Sequence, residues 1–157
     1  MPSSAGAPER QPLAVLFVCG SNAVRSPMAA ALFAQIFGRA IHVSSAGVRQ
    51  GELDGFAAAV MAEAGLDISR HKPVTLEELA EDEGLDFDLI VTLAPEAHHG
   101  ALELARTSGV DVEYWPTADP SAIEGNREQR LIAYREVRDQ LLARIRARFL
   151  ARGMGHD

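Results

Sequence analysis

Cys19 stands six positions before Arg25 in the segment Cys19-Gly20-Ser21-Asn22-Ala23-Val24-Arg25-Ser26-Pro27, and it is the one cysteine among 157 residues. A thiolate is a strong nucleophile, and a guanidinium is a planar fork able to hold two oxygens of a tetrahedral anion at once. Five residues between them are enough to wrap a loop around such an anion with the backbone amides turned inward. Ser26-Pro27 reads as a helix start, because Ser caps free amides and Pro fits the first turn. The helix adds unpaired amides and the positive end of its dipole. Gly20, Ser21, Asn22, Ala23, Val24 and Ser26 are therefore the expected phosphate-binding positions, in a field that favours the thiolate of Cys19.

Transfer of a phosphoryl group from a monoester also needs a proton for the departing oxygen. Asp119 is the best placed of the 22 carboxylates, in Tyr114-Trp115-Pro116-Thr117-Ala118-Asp119-Pro120. Pro120 holds the backbone before it extended and removes a competing donor. Trp115 is read first as a packing residue and second as a pocket wall, and Ser45 and His71 as supports. His98-His99 lack a third ligand and a cysteine, so no metal and no cofactor is expected. The acidic run Glu77 to Glu83 reads most simply as a solvated helix face.

A cysteine followed by an arginine six positions later is a weak signal by itself. It gains force from the elements around it. Leu13 to Val18 is apolar throughout, as in a strand buried on both faces. A helix follows from Ser26 to Phe37 and stops at Gly38. Ile41 to Ser45 reads as a second strand, with a helix from Phe56 to Gly65 after it. Thr75 and Glu78 have capping-box spacing for a short helix. Phe87 to Thr92 is the third strand, Pro95 opens a helix to Thr107, and Val110 to Tyr114 is the fourth strand. Asn126 and Gln129 cap a long last helix with apolar positions at Tyr134, Val137, Leu141, Ile145 and Phe149.

This alternation predicts a single small doubly wound α/β domain, a four-stranded parallel sheet with helices on both faces. In such folds ligands bind beyond the carboxyl ends of the strands, where Cys19 to Arg25, Ser45, Thr92 and Asp119 all fall. Residues 1–12 read as a mobile tail, 13–152 as the domain and 153–157 as a frayed end.

At 47% apolar and 24% charged residues the chain is an ordinary globular one, with a net charge of -7 that argues against coating nucleic acid or an anionic membrane. A lone cysteine excludes an intrachain disulfide, a cysteine-rich zinc site and an internal thiol relay. With neither a membrane span nor a signal peptide in view, the expected compartment is the cytoplasm.

Cys-x5-Arg-Ser-Pro-Met-Ala, Ser45-Ala46-Gly47, Ile68 to Lys72 and the late Asp119-Pro120 resemble the low-molecular-weight protein tyrosine phosphatase family, from Val15 to about Phe149. The resemblance implies a flavodoxin-like winding, a nucleophilic Cys19 passing through a phosphocysteine, Arg25 as the clamp on the transition state and Asp119 as general acid, then base. It also implies that Ser26 stabilises the thiolate and that Asn22, braced by Ser45 and His71, holds the loop. The substrate it implies is a phosphotyrosine-bearing protein or a small aryl phosphate.

Val60 to Ser69, Thr92-Leu93, Tyr114-Trp115 and Tyr134 to Asp139 look closer to the arsenate reductases of the same fold. The thioredoxin-coupled members need two further cysteines, and Ala94 and Ala101 stand where those would be. Ser21 replaces a usual Gly and Val24 a common second loop Cys. Hydrolysis is the first reading. The alternatives are arsenate reduction with an external low-molecular-weight thiol and a non-catalytic phosphate or phosphotyrosine sensor.

Overall fold

The computed structural model describes residues 12, 14–82 and 84–150. The expected N-terminal tail, apart from Pro12, and the expected frayed C-terminus lie outside these residues.

The chain winds as β1 (Ala14–Cys19), α1 (Arg25–Phe37), β2 (His42–Gly47), α2 (Gly55–Glu63), α3 (Leu76–Asp82), β3 (Leu89–Thr92), α4 (Pro95–Ser108), β4 (Asp111–Tyr114) and α5 (Arg127–Ile145), closed by a π turn over Arg146–Leu150. All strands pair in parallel, in the order β2-β1-β3-β4. This is the doubly wound four-stranded sheet that the alternation of apolar runs and amphipathic stretches predicts.

Strand β1 lies in the middle and is buried at every position. Its side chains alternate between two cores, as period-two geometry requires. Val15, Phe17 and Cys19 join the cluster under α1, α2 and α5, whereas Leu16 and Val18 join the one under α3 and α4.

Several boundaries differ from expectation, each for a visible reason. Ser26 does not cap α1. The helix already begins at Arg25, with Val24 at the N-cap and no side-chain cap bond. Strand β2 starts one residue late and runs on to Gly47, because Gly47 pairs with Cys19 in register and donates to the Val74 carbonyl at 2.8 Å. Strand β3 starts at Leu89 rather than Phe87. The Phe87 ring instead stacks on His42. Both predicted capping boxes form, at Thr75/Glu78 and Asn126/Gln129.

The largest fully buried side chain among the described residues, Tyr134 of α5, donates its hydroxyl to Asp54 Oδ2 at 2.7 Å. The other oxygen of Asp54 caps α2 through the amides of Phe56 and Ala57. Burial and this carboxylate together push the Tyr134 phenol well above its ordinary value. Removing only the hydroxyl, as Tyr134→Phe, is expected to cost about 1.5–3 kcal/mol, the range for a hydrogen bond to a charged acceptor. Urea unfolding measures it, and an unchanged midpoint would show that the α5 to α2 tie carries no stability.

Candidate active site

The loop from Gly20 to Val24 leaves β1 and enters α1 at the carboxyl edge of the sheet. Its backbone amides meet no acceptor among the described residues, and Val24, the N-cap residue of α1, makes no side-chain cap bond. Unpaired amides converging at the positive end of a helix form an anion cradle. The outer carbonyls are held: Gly20 O accepts from the amides of Val48 and Arg49 at 2.9 and 3.0 Å, and Ala23 O from Asp54 N at 3.2 Å. Gly47 is required here, since a Cβ on it would lie 2.7 Å from Asn22 N. Gly51 likewise makes room for Ser21, whose Cβ would be 2.9 Å from a Cβ at position 51.

Asn22 fixes the shape of the loop. Among the described residues it is the one non-glycine with positive φ, at 57°, and it is fully buried. Its Nδ2 donates to Ser26 Oγ at 2.8 Å and Ser45 Oγ at 3.0 Å, while its Oδ1 accepts from Val74 N at 2.9 Å and lies 3.0 Å from His71 Nε2. His71 Nε2 also lies 3.1 Å from the Asn22 carbonyl. Both neighbours are carbonyl oxygens, so His71 must carry its proton on Nε2.

Cys19 is buried, with Ser26 Oγ at 2.9 Å from its sulfur and the Ser26 amide at 3.4 Å. The Ser26 hydroxyl has one proton and two acceptors in reach, this sulfur and the Ala46 carbonyl at 3.3 Å. Turned to the sulfur, it supports a thiolate.

Arg25 is anchored through Nη1, which donates to Thr117 O at 2.8 Å and more weakly to Leu93 O at 3.5 Å. Its Nη2 lies 3.8 Å from Asp119 Oδ2. Asp119 is fixed by its other oxygen, which accepts from Ser121 N at 3.0 Å and Ser121 Oγ at 2.7 Å. One carboxylate oxygen is thus spent on holding the turn, and the other is presented beside the guanidinium.

Cys19, the loop, Ser26, Ser45, His71, Arg25 and Asp119 therefore meet at one strand edge. Trp115 does not line it. Its ring packs on Phe17 and Phe149, with Nε1 on Glu113 Oε1 at 3.2 Å, so the pocket-wall alternative is set aside. His98 has a structural task, bonding Thr92 Oγ1 at 3.0 Å and stacking on Tyr114. No group of three or more His, Cys, Asp or Glu able to hold a metal ion occurs among the described residues.

Three participants escaped the reading of the sequence. Asp54 supports the loop through its amide, and Asp54-Gly55 before an apolar run is a cap signal that could have drawn attention to it. Arg49 and Glu96 form an ion pair at 3.4 Å beside Gly20, where a Cβ on that glycine would lie 2.8 Å from Glu96 Oε2. No local pattern joins residues so far apart in the chain.

The profile of the family described as low molecular weight phosphotyrosine protein phosphatase matches residues 14–151. The arsenate reductase of Bacillus licheniformis is 33% identical over 133 residues, covering 84% of this chain and 91% of its own length. An arsenate reductase solved in its phosphate-binding state superposes with a TM-score of 0.70 at 28% identity, covering 85% of this chain and 94% of that one. The YwlE arginine phosphatase of Geobacillus stearothermophilus does so at 0.67 and 27%, covering 92% and 94%.

Burial holds His71 below the ordinary histidine value, opposed by its contact with the Asn22 backbone. A base depressed in the folded state adds stability above its unfolded value of about 6.5 and loses it as pH falls through the folded value. Thermal midpoints of the native protein should therefore fall more steeply below about pH 6.5 than those of His71→Gln, whose amide can still donate to Asn22. Equal slopes would show that protonation of His71 is not felt by the fold.

Proposed function

The chain belongs to the low-molecular-weight phosphotyrosine protein phosphatase family, whose fold serves phosphatases and arsenate reductases alike, and from that premise we propose that it is a metal-independent phosphomonoester hydrolase of the protein tyrosine type. The observation that carries this reading is the Arg25 guanidinium: fixed on Thr117 O, it brings Asp119 Oδ2 to 3.8 Å and so joins a proton donor to the loop that holds the only thiol.

In the first step the Cys19 thiolate attacks phosphorus in line. The sulfur–phosphorus bond forms and the ester phosphorus–oxygen bond breaks, while loop amides and Arg25 hold the equatorial oxygens. Asp119 gives its proton from Oδ2 to the departing oxygen. In the second step Asp119 takes a proton from water, which attacks phosphorus and releases phosphate and the thiolate.

A second reading is arsenate reduction, favoured by the naming of relatives up to 33% identical to this chain as arsenate reductases. Ala94 and Ala101 are both buried in α4 and at its start, so no internal thiol is offered there. An external low-molecular-weight thiol would have to attack the Cys19 sulfur of a thiol–arsenate adduct, releasing arsenite and leaving a mixed disulfide for a second thiol to reduce.

Hydrolysis of an aryl phosphate without added metal, with glutathione-dependent arsenate reduction run beside it, separates the two readings. Cys19→Ser should abolish hydrolysis, and Asp119→Ala should lower kcat by about 100- to 10,000-fold with little change in KM. Phosphotyrosine and phosphoarginine peptides in the same assay identify the phosphorylated group. Undiminished hydrolysis in Cys19→Ser, or thiol-dependent arsenate reduction with negligible hydrolysis, would overturn the proposal.

A further inference from the structure

A groove of about 510 Å³ opens between α3 and α4, on the face of the sheet away from α1 and α5. Its floor is apolar, made by Val48, Leu76, Ala80 and Leu104. Gly100 widens it, since a Cβ there would touch nothing but Leu76 Cδ1, at 3.8 Å. Val48 is 42% exposed despite its aliphatic side chain. The rim is acidic. Glu103 is paired with Arg106 at 3.1 Å, but Glu77 and Glu81 have no ion pair among the described residues. A solvated helix face explains the carboxylates alone, but it leaves the apolar opening beneath them unexplained.

One residue connects this groove to the phosphate loop. The amide of Val48 donates to the carbonyls of Cys19 and Gly20, at 3.2 and 2.9 Å, while its side chain lines the groove. Arg49 follows, paired with Glu96 beside Gly20.

We propose that this groove docks the polypeptide flanking the phosphorylated residue: one aliphatic or aromatic side chain seats on Val48 and Leu104, and neighbouring Lys or Arg residues meet Glu77 and Glu81. The proposal rests on the phosphatase reading and names its substrate as a polypeptide with basic and apolar residues next to the phosphate. Charge selects this occupant. A second copy of a chain with net charge -7 would bring its own acidic rim against this one, and an anionic surface is repelled in the same way.

The test compares kcat/KM for phosphotyrosine peptides carrying Leu with Lys and Arg, Leu with Asp and Glu, or Ser with Lys and Arg, beside a small aryl phosphate. The first peptide should be favoured about ten-fold over each of the others. Glu77→Lys combined with Glu81→Lys should reduce the preference over the acidic peptide about five-fold, and Gly100→Leu, which fills the groove, should erase the preference for Leu. Neither variant should change aryl phosphate turnover.

Equal rates on all peptides, or preferences unchanged in both variants, would overturn docking. So would a dimer in sedimentation that Gly100→Leu disrupts, since it would give the groove to a second copy. Amide shifts of the isotopically labelled full chain on adding the unphosphorylated Leu-Lys peptide provide a readout independent of turnover. Shifts confined to α3, α4 and Val48 with no hydrolysis of any ester would retain the docking and reject the phosphatase reading, whereas hydrolysis without such shifts would do the reverse.

Discussion

Asn22 holds the loop in a conformation that most L-residues reach only at a cost of roughly 1–2 kcal/mol. It can do so because every polar atom of its side chain is engaged, by Ser26 and Ser45 on one side and by His71 and the Val74 amide on the other. Those partners come from the start of α1, the end of β2 and the segment before α3. The anion cradle is therefore the place where three separate parts of the chain agree on one backbone shape. Glycines at 47 and 51 are the steric counterpart of that agreement, leaving room where the loop presses against its neighbours.

With the loop fixed, its inner surface offers amides and its outer surface is closed. Ser26 links the two functions, for its hydroxyl accepts from Asn22 and can turn its own proton to the Cys19 sulfur. Arg25 and Asp119 complete the arrangement from the other side, tethered by Thr117 O and Ser121. Arg25 and Asp119 are thus each held through one terminal atom, Nη1 and Oδ1, while Nη2 and Oδ2 face one another at 3.8 Å. The same division extends to the larger surface, where Val48 gives its backbone to the loop and its side chain to the groove.

Much of this was legible in the residues. The apolar runs, both capping boxes and the return of Cys19, Arg25 and Asp119 to one sheet edge follow from local patterns that carry their own physics. Errors arose where a tertiary contact outvoted a local one. Ser26 carries the signature of a cap, yet its hydroxyl is taken by the sulfur and by Asn22, and the helix starts one residue earlier without it. For Trp115 the first reading holds, since its ring packs in the core against Phe17 and Phe149. Arg49 and Glu96 were invisible because only the folded sheet brings them together.

The central claim is that the Cys19 sulfur receives a phosphoryl group and hands it to water. Rapid acid quenching of Asp119→Ala during turnover of an aryl phosphate, followed by mass spectrometry of the Cys19 peptide, examines that step directly. The account predicts a peptide heavier by one phosphoryl group that forms as the aryl alcohol is released and then decays to free phosphate with no thiol consumed. An unmodified Cys19 during active turnover, or discharge that requires an added thiol, would contradict it.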